Sequence, residues 1–170
     1  LIDLVSADTD KTPDCGKTSA SRQTFVTGKA AELAGRALRA EILRRANAGA
    51  NADIAFTPGV ISVRDGGREQ RLDLAAFARD AQGYALCVEE TFDPPTSPLD
   101  GDGQGEPYAV YGFGAHLAEI EIDLELGTVK VLRLTTAHDV GKAINPTLVE
   151  GQIEGGALQG LGLALMEEFI

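Results

Sequence analysis

The stretch NPTLVEGQIEGGALQGLGLALMEEF, Asn145 to Phe169, constrains the fold of this chain more than any other. Asn145 suits a helix cap and Pro146 the first helical position. Leu148, Val149, Ile153, Ala157, Leu161 and Leu165 then recur as on one face of a helix. Yet Gly151, Gly155, Gly156, Gly160 and Gly162 lie inside the same segment. Each helical glycine costs roughly 1 kcal/mol against alanine, so together they cost on the order of 5 kcal/mol. A fold that keeps this helix must bring something so close that side chains are excluded. Tight helix–sheet or helix–helix packing is one such cause. A polar planar ligand is another, because Gln152 and Gln159 stand among the glycines and a buried amide needs partners.

Residues 1–7 read as a strand, and DTDKTPDCGKTSAS after them as a loop rich in turn residues. A long helix is expected from about Ser21 to Ala48, with Phe25, Ala30, Leu33, Ala34, Ala37, Leu38 and Ile42 on one side, ended by NAGANAD. IAFTPGVISVRDGGREQRLDL has the pattern of two short strands around a DGG turn, with a third strand following. Asp73 then caps a short helix through Ala81, and YALCVEETF is a strand. DPPTSPLDGDGQGEP is the least ordered stretch on composition. YAVYGFGAHLAEIEIDLELGTVKVLRLTTAHDV is a long hairpin turning at ELGT, with an imperfect alternation of Leu117, Ile120, Ile122 and Leu124. The sum is an α+β fold, a mainly antiparallel or mixed sheet packed against two long helices. Within it, residues 1–50 hold an anion-binding loop and long helix, 51–106 a small α+β insert with an acidic loop, and 107–170 the hairpin and glycine-rich helix.

The length of 170 residues suffices for one good core or two small lobes. A net charge of −11 argues against a nucleic-acid partner, which calls for a basic footprint. The charge is uneven: residues 1–50 hold eight Lys/Arg against six Asp/Glu, and the remainder seven against 20. An anion site therefore belongs near the N-terminus. Cys15 and Cys87 allow one disulfide but cannot hold an iron–sulfur cluster that needs four thiolates. His116 and His138 are too few and too isolated in sequence to indicate a zinc site, and no metal ligand is assigned. No signal peptide or membrane span is visible. Both ends cut into regular structure, so a fragment of a longer chain is expected.

Two further motifs bear on chemistry. In GKTSASRQTFVTGKA, Gly16 to Ala30, small hydroxyl residues precede a helix opening with Ser21, Arg22, Gln23 and Thr24. Helix N-termini present unpaired N–H groups and a positive partial charge, which bind phosphates, and Arg22 can add a bidentate grip. The plainer alternative is a capped helix, with Ser19 or Ser21 as the cap and Arg22 solvated. Despite its GKT the segment is no P-loop, because the upstream glycine and preceding strand are missing. Glu106 in GQGEP is either a general base or part of a flexible acidic loop.

The string EIEIDLELGTVKVLRLTTAHDVGKAINPTLVEGQIEGGALQGLGLALMEE closely resembles the molybdenum-binding subunit of the xanthine dehydrogenase/aldehyde oxidase family, and DTDKTPDCGKTSASRQTFVTGKAA resembles a second signature of it. The resemblance covers nearly the whole chain, more weakly over 50–107. It implies a fragment of the second molybdenum-cofactor-binding domain. The activity implied is the oxidative hydroxylation of an aldehyde, purine or N-heterocycle by an oxidoreductase of which this chain is one part, inactive alone. The implied cofactor is molybdopterin cytosine dinucleotide, with iron–sulfur clusters and flavin only on other domains or subunits. The implied partners are the remaining domains of the molybdenum subunit and an iron–sulfur, or also a flavin, subunit. By this resemblance Ser19, Ala20 and Ser21 approach the metal and adjoining cofactor, Arg22 and Gln23 the pyrophosphate, and Gly151 and Gln152 the pterin. The family's catalytic glutamate lies in a Gly-Glu-Pro-like motif well beyond the glycine helix, so its role is not carried over to Glu106 and no catalytic residue is assigned. The location implied is cytoplasmic, or periplasmic behind a twin-arginine signal. The rival reading is a non-catalytic dinucleotide- or anion-binding module, or a subunit-assembly module, that keeps the family core.

Overall fold

Alanine, leucine and arginine dominate the segment after Arg22, and in the computed structural model, which describes residues 3–168, it forms helix α1, Gln23–Arg45. Glu32 pairs with Lys29 and Arg36, and Glu41 with Arg44 and Arg45, at helical spacings of three and four. The Arg44 and then Arg45 hydrogen bonds hold the Glu41 carboxyl down at about 2. The helix stops where NAGANAD begins. Asn47 takes a left-handed φ of 45°, and the N–H groups of Asn47 and Ala48 donate to the carbonyls of Arg44 and Leu43. This is the Schellman closure, with asparagine in the position that tolerates left-handed backbone.

Three strands follow as an antiparallel meander, β1 (Asp53–Thr57), β2 (Val60–Asp65) and β3 (Arg68–Asp73). Gly66 and Gly67 both have positive φ, 53° and 86°, as the tight DGG turn requires. Ile42, Leu43 and Ala46 at the end of α1 are buried with Ala52, Ile61 and Val63. Arg39 Nη2 donates to the carbonyls of Ala50 and Ala52 at 3.0 and 2.7 Å, and Gly49 N to the Asp65 carboxylate at 2.6 Å. These bonds lash the α1–β1 link to helix and hairpin. The core thus uses only the last turns of α1, and of the expected apolar face only Leu38 and Ile42 join it.

The second unit, Thr96–Ile170, is distinct from the first, Leu1–Pro95. It contains β4 (Phe113–Asp123) and β5 (Thr128–Asp139), paired antiparallel, and α2 (Pro146–Leu165). Asp123 shapes the turn by accepting from Glu125 N and Leu126 N, and Gly127 enters it at φ 66°. Glu119 pairs with Arg133 but Ile120 with Val131, so Leu132 is an unpaired extra residue. Past that bulge β5 changes phase. Ala118, Ile120 and Ile122 therefore share a face with Val129, Val131 and Leu134, while Glu119 and Glu121 stand opposite Arg133 and Lys130 on the other. Asn145 caps α2 as expected, accepting from Leu148 N at 3.2 Å, and Pro146 opens the helix.

Four expectations are corrected. Residues 3–7 form no strand, while Leu1, Ile2 and, at the far end, Phe169 lie outside the described residues. The Asp73 cap is real, but its helix is one 3-10 turn, Leu74–Ala76, because Phe77 turns extended and its ring sits under the Arg45 guanidinium at 4.8 Å. YALCVEETF is not a strand. Its start is locked in a turn by Asp80, which accepts from Gln82 N and Tyr84 N, and no described strand lies beside it. The α+β class stands, but the strands form two separate antiparallel sheets of three and two rather than one backed by two helices.

Candidate functional site

The N-terminal mouth of α1 is built by a loop folding back on the helix. Ala20 and Ser21 are both left-handed, at φ 56° and 51°. Neither residue type favours that conformation, which costs roughly 1–2 kcal/mol each. Such a pair turns the chain sharply, so that Arg22 Nε and Nη2 and Gln23 Nε2 all donate to the Lys17 carbonyl at 3.2–3.3 Å. Gln23 also donates to Thr18 Oγ1 at 3.4 Å, and its amide oxygen accepts from Thr27 Oγ1. Gly16, at φ 73°, lies under Arg22, where a Cβ would stand 3.4 Å from Nη2. Ser19, Ala20, Ser21, Arg22 and Gln23 are thus drawn into one turn, the first three exposed and the last two half-buried.

The helix start differs from the plain capped reading. Arg22, not Ser19 or Ser21, holds the N-cap position, and no side chain caps the helix. No acidic residue stands in the first turn. The first-turn N–H groups therefore keep their positive partial charge, with Arg22 beside them, which is the arrangement that receives an anion.

Gly151 and Gln152 belong to the other unit, in the second turn of α2. At about 100° per residue, Gly151, Gly155 and Gly162 fall on one side of α2 with Gln152 and Gln159. The half-buried Val149, Ile153, Ala157 and Leu161 fall on the opposite side. A Cβ built at Gly151, Gly155, Gly156 or Gly160 meets nothing within 4 Å. Packing among the described residues therefore does not account for these glycines. The side that holds Gly151 and Gly155 is exposed and carries the amides of Gln152 and Gln159 together with the exposed side chains of Leu148 and Leu158.

Glu106 is exposed in a loop that closes on itself, with Ser97 N donating to the Glu106 carbonyl and Glu106 N to Ser97 Oγ, both at 2.8 Å. Gly105 is forced there, since a Cβ would lie 2.6 Å from the Pro98 carbonyl oxygen. Backbone geometry thus accounts for the glycine that precedes Glu106. Cys15 and Cys87 are free and exposed. Sequence reasoning missed the double left-handed turn, because alanine and serine carry no signal for it. It also leaves His116 and His138 isolated, yet strand pairing makes them neighbours.

The chain matches the molybdopterin cofactor-binding domain family over residues 1–170. It is 34% identical over 169 residues to a probable xanthine dehydrogenase subunit of Bacillus subtilis (strain 168), covering 98% of this chain and 22% of that protein. It is also 34% identical over 180 residues to the 6-hydroxypseudooxynicotine dehydrogenase complex subunit gamma of Paenarthrobacter nicotinovorans, covering 99% and 21%. Aldehyde oxidase 1 of Oryctolagus cuniculus is 44% identical over 95 residues, 55% of this chain and 7% of that protein. The chain spans about a fifth of the length of the two bacterial relatives.

Proposed function

The chain belongs to the molybdopterin cofactor-binding domain family, and from that membership we propose that it is part of the molybdenum-binding subunit of a xanthine dehydrogenase/aldehyde oxidase-type oxidoreductase. In this reading the cofactor is the cytosine dinucleotide form. Arg22, Gln23 and the uncapped first turn of α1 take its pyrophosphate, Ser19, Ala20 and Ser21 stand toward the metal, and Gly151 and Gln152 take the pterin. When bound, the molybdenum centre supplies two-electron oxidation of an aldehyde, purine or N-heterocycle carbon. The residues of this chain bind and orient the cofactor, and none of them moves the substrate proton. Iron–sulfur and flavin groups lie on other domains or subunits, which are its partners. No described helix is long and apolar enough to cross a membrane. In this reading the protein is cytoplasmic, or periplasmic behind a twin-arginine signal.

The observation that carries this reading is the Gly151–Gln152 face of α2, where a Cβ at Gly151 or Gly155 would meet no neighbour among the described residues. The test is molybdenum and released cytidine monophosphate in protein expressed from its own gene, beside Gly151→Leu, Gln152→Leu and Arg22→Ala. Both should be present in the parent. Gly151→Leu and Gln152→Leu should lose molybdenum while keeping the helical circular-dichroism signal. Arg22→Ala should weaken cofactor retention by about 1.5–3 kcal/mol, the range for hydrogen bonds to a charged group. Full molybdenum in all three variants refutes the assignment.

The exposed apolar side chains of the β4–β5 hairpin, among them Ile120, Ile122 and Val129, favour the assembly-module reading as a second one. Protein that carries no molybdenum yet co-purifies with its partner subunits would decide for it.

A further inference from the structure

His116 lies on β4 and His138 on β5, and these are the chain's two histidines. The register pairs His116 with Thr136 and His138 with Gly114, so the two imidazoles occupy diagonal positions on one face of the hairpin. Their ring centres are 4.9 Å apart and their planes cross at 85°. Gly114 makes the approach possible: a Cβ there would stand 2.9 Å from both Cε1 and Nδ1 of His138, so the ring lies across the glycine. Both histidines are exposed.

We propose that His116 and His138 together chelate a first-row divalent transition-metal ion, of the zinc, nickel or copper(II) class, at the end of the β4–β5 hairpin away from its turn. Imidazole nitrogen is the ligand these ions share. With metal–nitrogen bonds of about 2.0–2.1 Å, the ion stands roughly 3.2 Å from each ring centre, and nitrogen–metal–nitrogen angles of about 90–109° then part the ring centres by roughly 4.5–5.2 Å. The observed 4.9 Å falls inside that window. Bringing one nitrogen of each ring to a common point takes rotation about χ2, a broad and soft torsion for histidine. Among the described residues no group of three or more His, Cys, Asp or Glu is placed to hold an ion, so the other coordination positions belong to water or an exchangeable ligand. The site is therefore open and exchangeable, and the bound ion clips the two strand ends together.

The experiment uses protein expressed from its own gene, dialysed against chelator and titrated with zinc chloride by calorimetry, beside His116→Ala and His138→Ala. The parent binds one ion at this site, and each single variant loses roughly tenfold or more in affinity for it. Copper(II) added at one equivalent gives a paramagnetic resonance spectrum coupled to two imidazole nitrogens, falling to one in either variant. A variant that keeps the parent affinity, or a parent copper spectrum without two-nitrogen coupling, overturns the proposal. Should both variants fail to fold, the parent carries the test through diethylpyrocarbonate modification. Zinc that shields both histidines together supports the site, and an unchanged rate at either one overturns it.

Discussion

Replacing Gly151, Gly155 or Gly160 by alanine should strengthen α2 in the isolated chain, and the structure fixes the sign. None of the three has positive φ, and a Cβ at each meets nothing within 4 Å, so alanine adds neither strain nor clash. What remains is the propensity difference, up to about 1 kcal/mol per site. That is about fivefold in the local opening equilibrium. Amide hydrogen exchange reads this directly. Exchange across the second to fourth turns of α2 should slow about fivefold for each single variant, and the effects of Gly151→Ala and Gly160→Ala should add. Gly162 is the internal control, because a Cβ there meets the Glu167 side chain and its gain should be smaller. Faster exchange in Gly151→Ala or Gly155→Ala would mean that something within the chain packs on this face, and the reasoning from open space would fail.

Three further outcomes are expected. Glu41→Gln should lower the melting temperature of the first unit near neutral pH but not near pH 2. A depressed carboxyl stabilises above its unfolded value of about 4.5 and loses that contribution as pH falls through its folded value of about 2. A parallel shift at both pH values would refute the ion-pair account. Ile42→Ala, at a side chain only 1% exposed, should cost about 2–5 kcal/mol by urea unfolding, while Ile42→Val should cost about 0.5–1.5 kcal/mol. Asn47→Gly should hold or raise stability and Asn47→Ala should lower it by about 1 kcal/mol, since Asn47 closes α1 at φ 45°.

Local chemistry was legible wherever one residue type decides a conformation. Asn145 and Pro146 mark the start of α2, Asp73 caps its turn, and the DGG and ELGT segments turn where their glycines stand. What failed to show was whatever depends on a distant partner. YALCVEETF has strand composition but pairs with no described strand, and the Asp80 side chain claims its first amide, that of Tyr84, instead. The Asp73 helix ends early because Phe77 is drawn to Arg45, a contact between segments 32 residues apart. The hairpin also hides from periodicity the bulge at the unpaired Leu132, which no residue type marks. One extra residue flips the phase of β5, and only with that flip do Val129, Val131 and Leu134 join Ile120 and Ile122.

The same bulge also sets where His138 lands. Without it, His138 would fall opposite Phe113 and project from the face of Glu119 and Glu121, away from His116, and two histidines would indeed be isolated. Candidate site residues divide along the same line. The anion role proposed for Arg22 and Gln23 rests on their place at a helix start, but their hold on the Lys17 carbonyl depends on Ala20 and Ser21 adopting a conformation their side chains do not prefer. A strained turn persists only where surrounding contacts over-determine it. Within the chain those contacts are a handful of exposed hydrogen bonds to one carbonyl. A bound anion drawing Arg22 and the first-turn N–H groups together would add the missing determination. The turn should therefore be protected from proteolysis when the cofactor is present and be cut readily between Lys17 and Gln23 when it is not. Equal cleavage in both states would show that the turn is held by its own bonds and that the anion reading of the α1 mouth is wrong.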